Sequence, residues 1–151
     1  MSKKINIRPC ETKDKSSWRA LYDGYATFYN AEMTDEMADR VWNWIQDTEH
    51  DLKCILAVCD NEIVGLAHYR PMLRPLRSCY IGYLDDIFVS PKARGLKVAD
   101  ALMAELKVIC KENGWSVMRW LTADDNYRAR GLYDRHAVKS HSNLYELTLE
   151  N

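Results

Sequence analysis

The run Tyr83 to Ala99, YLDDIFVSPKARGLKVA, constrains this chain more than any other stretch. A strand over Leu84-Asp85-Asp86-Ile87-Phe88-Val89 breaks at Ser90-Pro91, because proline removes a backbone donor and fixes φ. The chain then passes through Lys92-Ala93-Arg94-Gly95 into a helix. Its apolar positions Leu96, Ala99, Leu102, Met103, Leu106, Ile109 and Cys110 repeat with the helical period, and Gly114 is placed to cap its end. The first N–H groups of such a helix lack intrahelical partners and its dipole favours negative charge. A basic turn feeding it therefore predicts an anion site suited to a phosphorylated ligand.

Around that unit the pattern predicts a strand over Ile5 to Arg8 stopped by Pro9, a helix over Asp14 to Asn30 with Trp18, Leu21, Tyr22, Tyr25 and Tyr29 on one face, and a helical stretch over Met37 to Gln46. Leu52 to Cys59 and Ile63 to Tyr69 read as a hairpin across Asp60-Asn61, followed by a basic loop over Pro71 to Ser78 and the strand from about Tyr80 to Val89. Ser116 to Thr122 reads as a strand, Asn126 as the N-cap of a helix through about Arg135, and Leu144 to Leu149 as a final strand. The order βααβββαβαβ indicates one mixed α/β domain over residues 1–151.

The function classes narrow with composition. A chain of 151 residues with net charge −1 carries no global basic field, which argues against a nucleic-acid partner. Met1 to Arg8 has lysines without an apolar stretch, so it does not read as a signal peptide, and no apolar run nears the length of a membrane span. Cys10, Cys54, Cys59, Cys79 and Cys110 are an odd number without a CxxC pair, which points away from zinc or a disulfide framework and toward a reducing cytoplasm. His68 and His141 read as satisfied or exposed histidines rather than metal ligands, so no metal is expected.

Two motifs carry a family resemblance. Arg94-Gly95-Leu96-Lys97-Val98-Ala99 resembles the pyrophosphate loop of the GCN5-related N-acetyltransferases, Arg/Gln-x-x-Gly-x-Gly/Ala, and Asn126-Tyr127-Arg128-Ala129-Arg130-Gly131-Leu132-Tyr133 is similar to that family's Asn-x-x-Ala-x-x-Leu-Tyr signature. One helix and one strand lie between them, as in the family, and the resemblance covers nearly the whole chain. Tyr83-Leu84-Asp85-Asp86 looks like the Tyr-Leu-Glu-Asp of small members acting on polyamines or histones. One departure stands out: Lys97 occupies the place of the family's middle glycine, where a lysine side chain can offer a phosphate contact in exchange for backbone closeness.

The resemblance implies a mixed, mostly antiparallel sheet that splays to admit acetyl-CoA, with helices on both faces. It assigns the pyrophosphate to Arg94, Gly95, Leu96, Lys97, Val98 and Ala99, and the pantetheine amides to the strand backbone at Ile87, Phe88 and Val89. Asn126 is either a cofactor contact or only a helix cap. Tyr133 matches the family's tyrosine near the thioester sulfur, which protonates the leaving thiolate, a general-acid contribution of roughly 10²–10⁴ in rate.

Asp85 and Asp86, adjacent on a strand, are expected on opposite faces, so that one looks into the acceptor cavity and takes the amine's proton directly or through water. Asp85 is placed ahead, because the matching family residue is a glutamate near the acceptor amine. Tyr25, Tyr29, Glu32 and Tyr83 are candidate acceptor contacts, Glu32 opening an acidic segment that runs to Asp51 with Trp42 and Trp44 within it. Arg74 and Arg77 would instead recognise an acceptor carboxylate. The expected activity is direct acetyl transfer from acetyl-CoA to a primary amine, either a small cationic amine of polyamine type or an amino acid, by a chain that forms a homodimer. The alternatives are a protein-lysine acetyltransferase and a non-catalytic acyl-CoA-binding module.

Overall fold

The computed structural model describes residues 3–149. It separates into two compact units, residues 1–121 and 122–151. The first holds a five-stranded sheet in the order β1-β2-β3-β4-β5. Its strands are β1 (Ile5–Pro9), β2 (Lys53–Cys59), β3 (Glu62–Arg74), β4 (Cys79–Val89) and β5 (Met118–Arg119), and its helices α1 (Lys15–Phe28), α2 (Asp35–Gln46) and α3 (Val98–Asn113). β1 to β4 pair antiparallel, while β5 runs parallel to β4.

The helices cover opposite faces because each carries one apolar stripe. Trp18 and Leu21 of α1 and Ala38 and Trp42 of α2 pack with Cys54, Leu56 and Leu66 of the sheet. On the other face, α3 buries Val98, Leu102, Met103, Leu106 and Ile109. Gly65 of β3 lets it approach closely: a Cβ there would meet Val98 Cγ1 at 2.9 Å. The helix ends as expected, on Gly114 at φ 71°.

Several sequence expectations need correction. Pro9 does not stop the first strand but is its last residue, since β1 is an edge strand and one side of it needs no donor. The expected basic loop over Pro71 to Ser78 is half strand. β3 continues through Pro71 to Arg74, where β2 no longer lies alongside and only β4 is paired. Only Pro75–Arg77 form a turn, closed by Ser78 in the left-handed region. α3 begins at Val98, leaving Leu96 exposed in the loop before it.

The strand expected over Ser116 to Thr122 shrinks to two residues. β4 pairs with β5 only through Gly82 and Tyr83, so among the described residues the remaining edge of β4 has no strand partner beyond Tyr83. This is the splay that the family resemblance implies.

The second unit holds α4 (Tyr127–His136), capped by the Asn126 side chain, which accepts a hydrogen bond from the Ala129 N–H. The final strand expected at Leu144 to Leu149 is absent: the segment is irregular, with Leu144, Tyr145, Leu147 and Leu149 exposed. Alternating side chains alone do not make a strand; a ladder partner is required, and this unit has no other strand among its described residues.

Candidate active site

The register of β3 on β4 decides where the two aspartates go. His68 pairs with Asp86 and Tyr69 with Leu84, so Asp85 is an extra residue in β4, a bulge. Side chains two apart on a strand share a face, which puts His68 and Arg70 of β3 together. Asp86 reaches His68 Nδ1 through Oδ2 at 2.8 Å, and Asp85 accepts from Arg70 Nε at 2.9 Å. Both carboxylates therefore lie on the α1 side, not on opposite faces as plain alternation predicts. The bulge cancels the alternation over the two positions that matter.

Their surroundings differ. Asp85 is partly open and committed to Arg70, whose guanidinium also lies 4.7 Å from the Tyr83 ring centre, so that this ring face is already taken by a cation of the chain. Asp86 is the more enclosed. It accepts from the Tyr22 hydroxyl at 3.2 Å and from Tyr25, in addition to His68. Burial alone would raise its carboxyl pKa, but His68, by its hydrogen bond and its electrostatic attraction, and then the hydrogen bonds from Tyr25 and Tyr22 outweigh this and hold it below the ordinary carboxylate value. The phenols respond the other way: burial, and then the nearby Asp86 charge, push Tyr22 and Tyr25 far above the ordinary tyrosine value.

α1 supplies this cluster because Trp18, Tyr22, Tyr25 and Tyr29 recur at helical spacing. Trp18 and Tyr22 have ring centres 5.3 Å apart, Tyr22 and Tyr25 5.9 Å, and Tyr25 and Tyr29 4.8 Å. Phe88 of β4 meets the Tyr25 ring edge-on at 6.2 Å and fits against Gly24, where a Cβ would stand 2.9 Å from the Phe88 ring. Beside them a cavity of about 860 Å³ runs past Gly24, Thr27, Phe28, Phe88, Ser90 and Arg94.

The remaining acceptor candidates scatter. Tyr29 is half-exposed and Glu32 exposed. Much of the acidic segment is solvated, with Asp35 paired to Arg19, Asp39 to Lys15 and Glu36 to Arg40. Trp42 is core, 5.0 Å from Trp18, while Trp44 stacks on His50. Trp18, Tyr22, His68 and Arg70 were not singled out as site residues from sequence. Trp18 and His68 lie 50 positions apart, and no local pattern joins them.

The loop after β4 offers the anion cradle. Gly95 has φ 86°, and Lys97, the residue in the glycine place, adopts φ 62° and ψ 32°, the left-handed conformation a glycine takes readily. Lys97 stands at the N-cap of α3 and supplies no side-chain cap, so the first N–H groups of the helix are left for another acceptor. Arg94, Gly95, Leu96 and Lys97 are exposed, and Val98 anchors the turn in the core. Ile87, Phe88 and Val89 lead into it along the part of β4 that β5 leaves unpaired. Residues and backbone thus fit a thioester cofactor carrying a pyrophosphate. Asn126 and Tyr133 belong to the second unit, on the N-cap and second turn of α4. Among the described residues, no group of three or more His, Cys, Asp or Glu is arranged to hold a metal ion.

Comparison with known proteins agrees with this geometry. Residues 18–137 match the Acetyltransferase (GNAT) family, and the chain belongs to that family. It is 29% identical over 146 residues to a D-amino-acid N-acetyltransferase of Saccharomyces cerevisiae, spanning 95% of this chain and 90% of the yeast protein. Among solved structures it superposes on a probable acetyltransferase with a TM-score of 0.86, at 23% identity and covering 97% and 99% of the two chains. It superposes likewise on the aminoglycoside N-acetyltransferase AAC(6')-Iy in complex with CoA, with a TM-score of 0.83, 18% identity and 100% and 98% coverage. The protein is an acetyl-CoA-dependent N-acetyltransferase.

Proposed function

We propose that this single-domain enzyme transfers the acetyl group of acetyl-CoA to the amino group of a small molecule, an amino acid rather than a polyamine. One observation carries this reading: the Asp86 carboxylate and the Arg70 guanidinium lie on one sheet face, Arg70 held there by Asp85, which the β4 bulge turns onto that face. An anion and a cation so arranged suit a zwitterion, Asp86 meeting the ammonium and Arg70 sharing its charge between Asp85 and the acceptor carboxylate. The similarity to a D-amino-acid N-acetyltransferase supports the same class.

In this reading Asp86 draws in the ammonium and its proton passes to water. The neutral nitrogen attacks the thioester carbonyl, the C–S bond breaks, and the thiolate takes a proton from the Tyr133 hydroxyl; the proton the nitrogen sheds as the amide forms returns through water to the Tyr133 phenolate, so that of the ammonium's two lost protons one leaves to solvent and one ends on sulfur. The cradle from Arg94 to Ala99 holds the pyrophosphate, and the free edge at Ile87 to Val89 holds the pantetheine amides. The side-chain oxygen of Asn126 is already used as a helix cap, which leaves its amide nitrogen for a cofactor contact. Five free cysteines are in keeping with a reducing cytoplasm. Leu73, Leu76 and Tyr80, exposed at the end of the β3–β4 hairpin, support pairing into a homodimer.

Thiol release measured across D- and L-amino acids, polyamines and a histone-tail peptide tests the acceptor class, with turnover expected on amino acids. Turnover confined to the peptide would overturn it. In the Tyr133→Phe variant, kcat should fall at least tenfold with acetyl-CoA binding retained; an undiminished kcat removes the acid role.

A further inference from the structure

His68 is completely buried, yet both of its ring nitrogens are engaged. Nε2 lies 2.8 Å from Trp18 Nε1 and Nδ1 lies 2.8 Å from Asp86 Oδ2. An indole nitrogen only donates, so His68 Nε2 must accept, and an accepting Nε2 carries no hydrogen. The single ring proton is then on Nδ1, aimed at Asp86. The alternative tautomer would set two N–H groups against each other at 2.8 Å and leave Asp86 without this donor. Trp18 is itself completely buried on α1, with its ring centre 5.9 Å from that of His68.

We propose that Trp18 and His68 form a positioning relay, in which the indole N–H fixes the His68 tautomer and His68 fixes Asp86 as an oriented carboxylate that docks the acceptor's ammonium group. The inference rests on the acceptor-side reading of Asp86 given above. It adds two residues that touch neither substrate, and a division of labour in which Asp86 binds the ammonium as an anion rather than retaining its proton. Tyr22 and Tyr25 complete the donor set, so the carboxylate is held from β3 and α1 together. A carboxylate so supplied with donors gains its preferred partner when an ammonium arrives on its open side.

The test uses His68→Leu, which removes the donor, and His68→Asn, whose amide nitrogen can stand where Nδ1 stood. His68→Leu should raise the acceptor KM at least tenfold with the acetyl-CoA KM unchanged, and His68→Asn should recover it to within threefold. Ring ¹⁵N correlations of the wild type should show a protonated Nδ1 and a bare Nε2 for the buried histidine. A protonated Nε2 overturns the relay, and so does equal loss in the two His68 variants or an unchanged acceptor KM in His68→Leu. Asp86→Asn separates the two readings. If its acceptor KM is unchanged, the acceptor role of Asp86 itself fails; if that KM rises while His68→Leu is silent, only the relay fails.

Discussion

Replacing Gly65 by alanine probes how the core sets the cofactor cradle. The added Cβ would stand 2.9 Å from Val98 Cγ1, 3.3 Å from Leu102 Cδ1 and 3.4 Å from Ala57 Cβ. Ordinary contact begins near 3.4 Å, so Val98 must retreat by about 0.5 Å, and it is the first residue of α3, the one that seats the helix N-terminus. Overpacking of this kind costs about 1–3 kcal/mol. A strand alanine returns about 0.4–1 kcal/mol through the unfolded chain. The net loss is about 1–2 kcal/mol, which for a chain of this size is a fall in Tm of roughly 3–6 °C. The same displacement moves the N–H groups proposed to hold the pyrophosphate, and about 1 kcal/mol lost there would weaken CoA binding roughly fivefold. Asp86 and His68 lie on the opposite face of the sheet, so the acceptor KM should hold. Thermal melts, calorimetry with CoA and initial rates at varied acceptor measure the three quantities. Unchanged CoA affinity beside a lowered Tm would refute the link from Gly65 to the cradle, and a parallel rise in acceptor KM would refute the separation of the two faces.

Asp14, buried, accepts from Arg8 Nη1 at 2.7 Å and Nη2 at 2.9 Å and from the Glu11 N–H at 2.7 Å. The hydrogen bond to Arg8 is the main reason its carboxyl pKa lies below the ordinary value of 3.8. A depressed native pKa contributes stability that is complete above the unfolded value and is lost as pH falls through the native one. Asp14→Asn should therefore cost about 2 kcal/mol at pH 7, with the gap to wild type closing below about pH 4 in urea melts; a gap equally large in acid refutes the pairing argument. Lys97→Gly tests what the lysine does in the glycine place. Relief of a left-handed residue, worth about 1 kcal/mol, is offset by the freedom glycine gains when unfolded, so Tm should move by less than about 2 °C. CoA affinity should fall a few-fold, more at low salt than at high, if the ammonium grips phosphate; tighter binding would mean that backbone closeness prevails.

What could be read from sequence was what depends on neighbours in the chain. The strand–turn–helix after Tyr83, the Asn126 cap and the Gly114 terminus each rest on a few adjacent residues, and each is found where expected. Pro9 and Pro71 were misread because tolerance of proline in a strand depends on which strands lie alongside, a property of topology rather than of the local run. Leu144 to Leu149 has the alternation of a strand without the ladder.

The aspartates show the same limit at the proposed acceptor site. Two acidic residues in succession look like one inside and one outside, and nothing local marks Asp85 as an insertion relative to β3. Only the pairing of His68 with Asp86 and Tyr69 with Leu84 reveals it. A bulge is a place where the local rule is broken, and such breaks concentrate where a side chain must be re-aimed. Here it turns Asp85 onto the face of Asp86 and hands it to Arg70, which leaves Asp86 to the buried donors. The residue ranked second by resemblance thereby acquires the enclosed, oriented carboxylate, and the one ranked first becomes its neighbour's counter-ion.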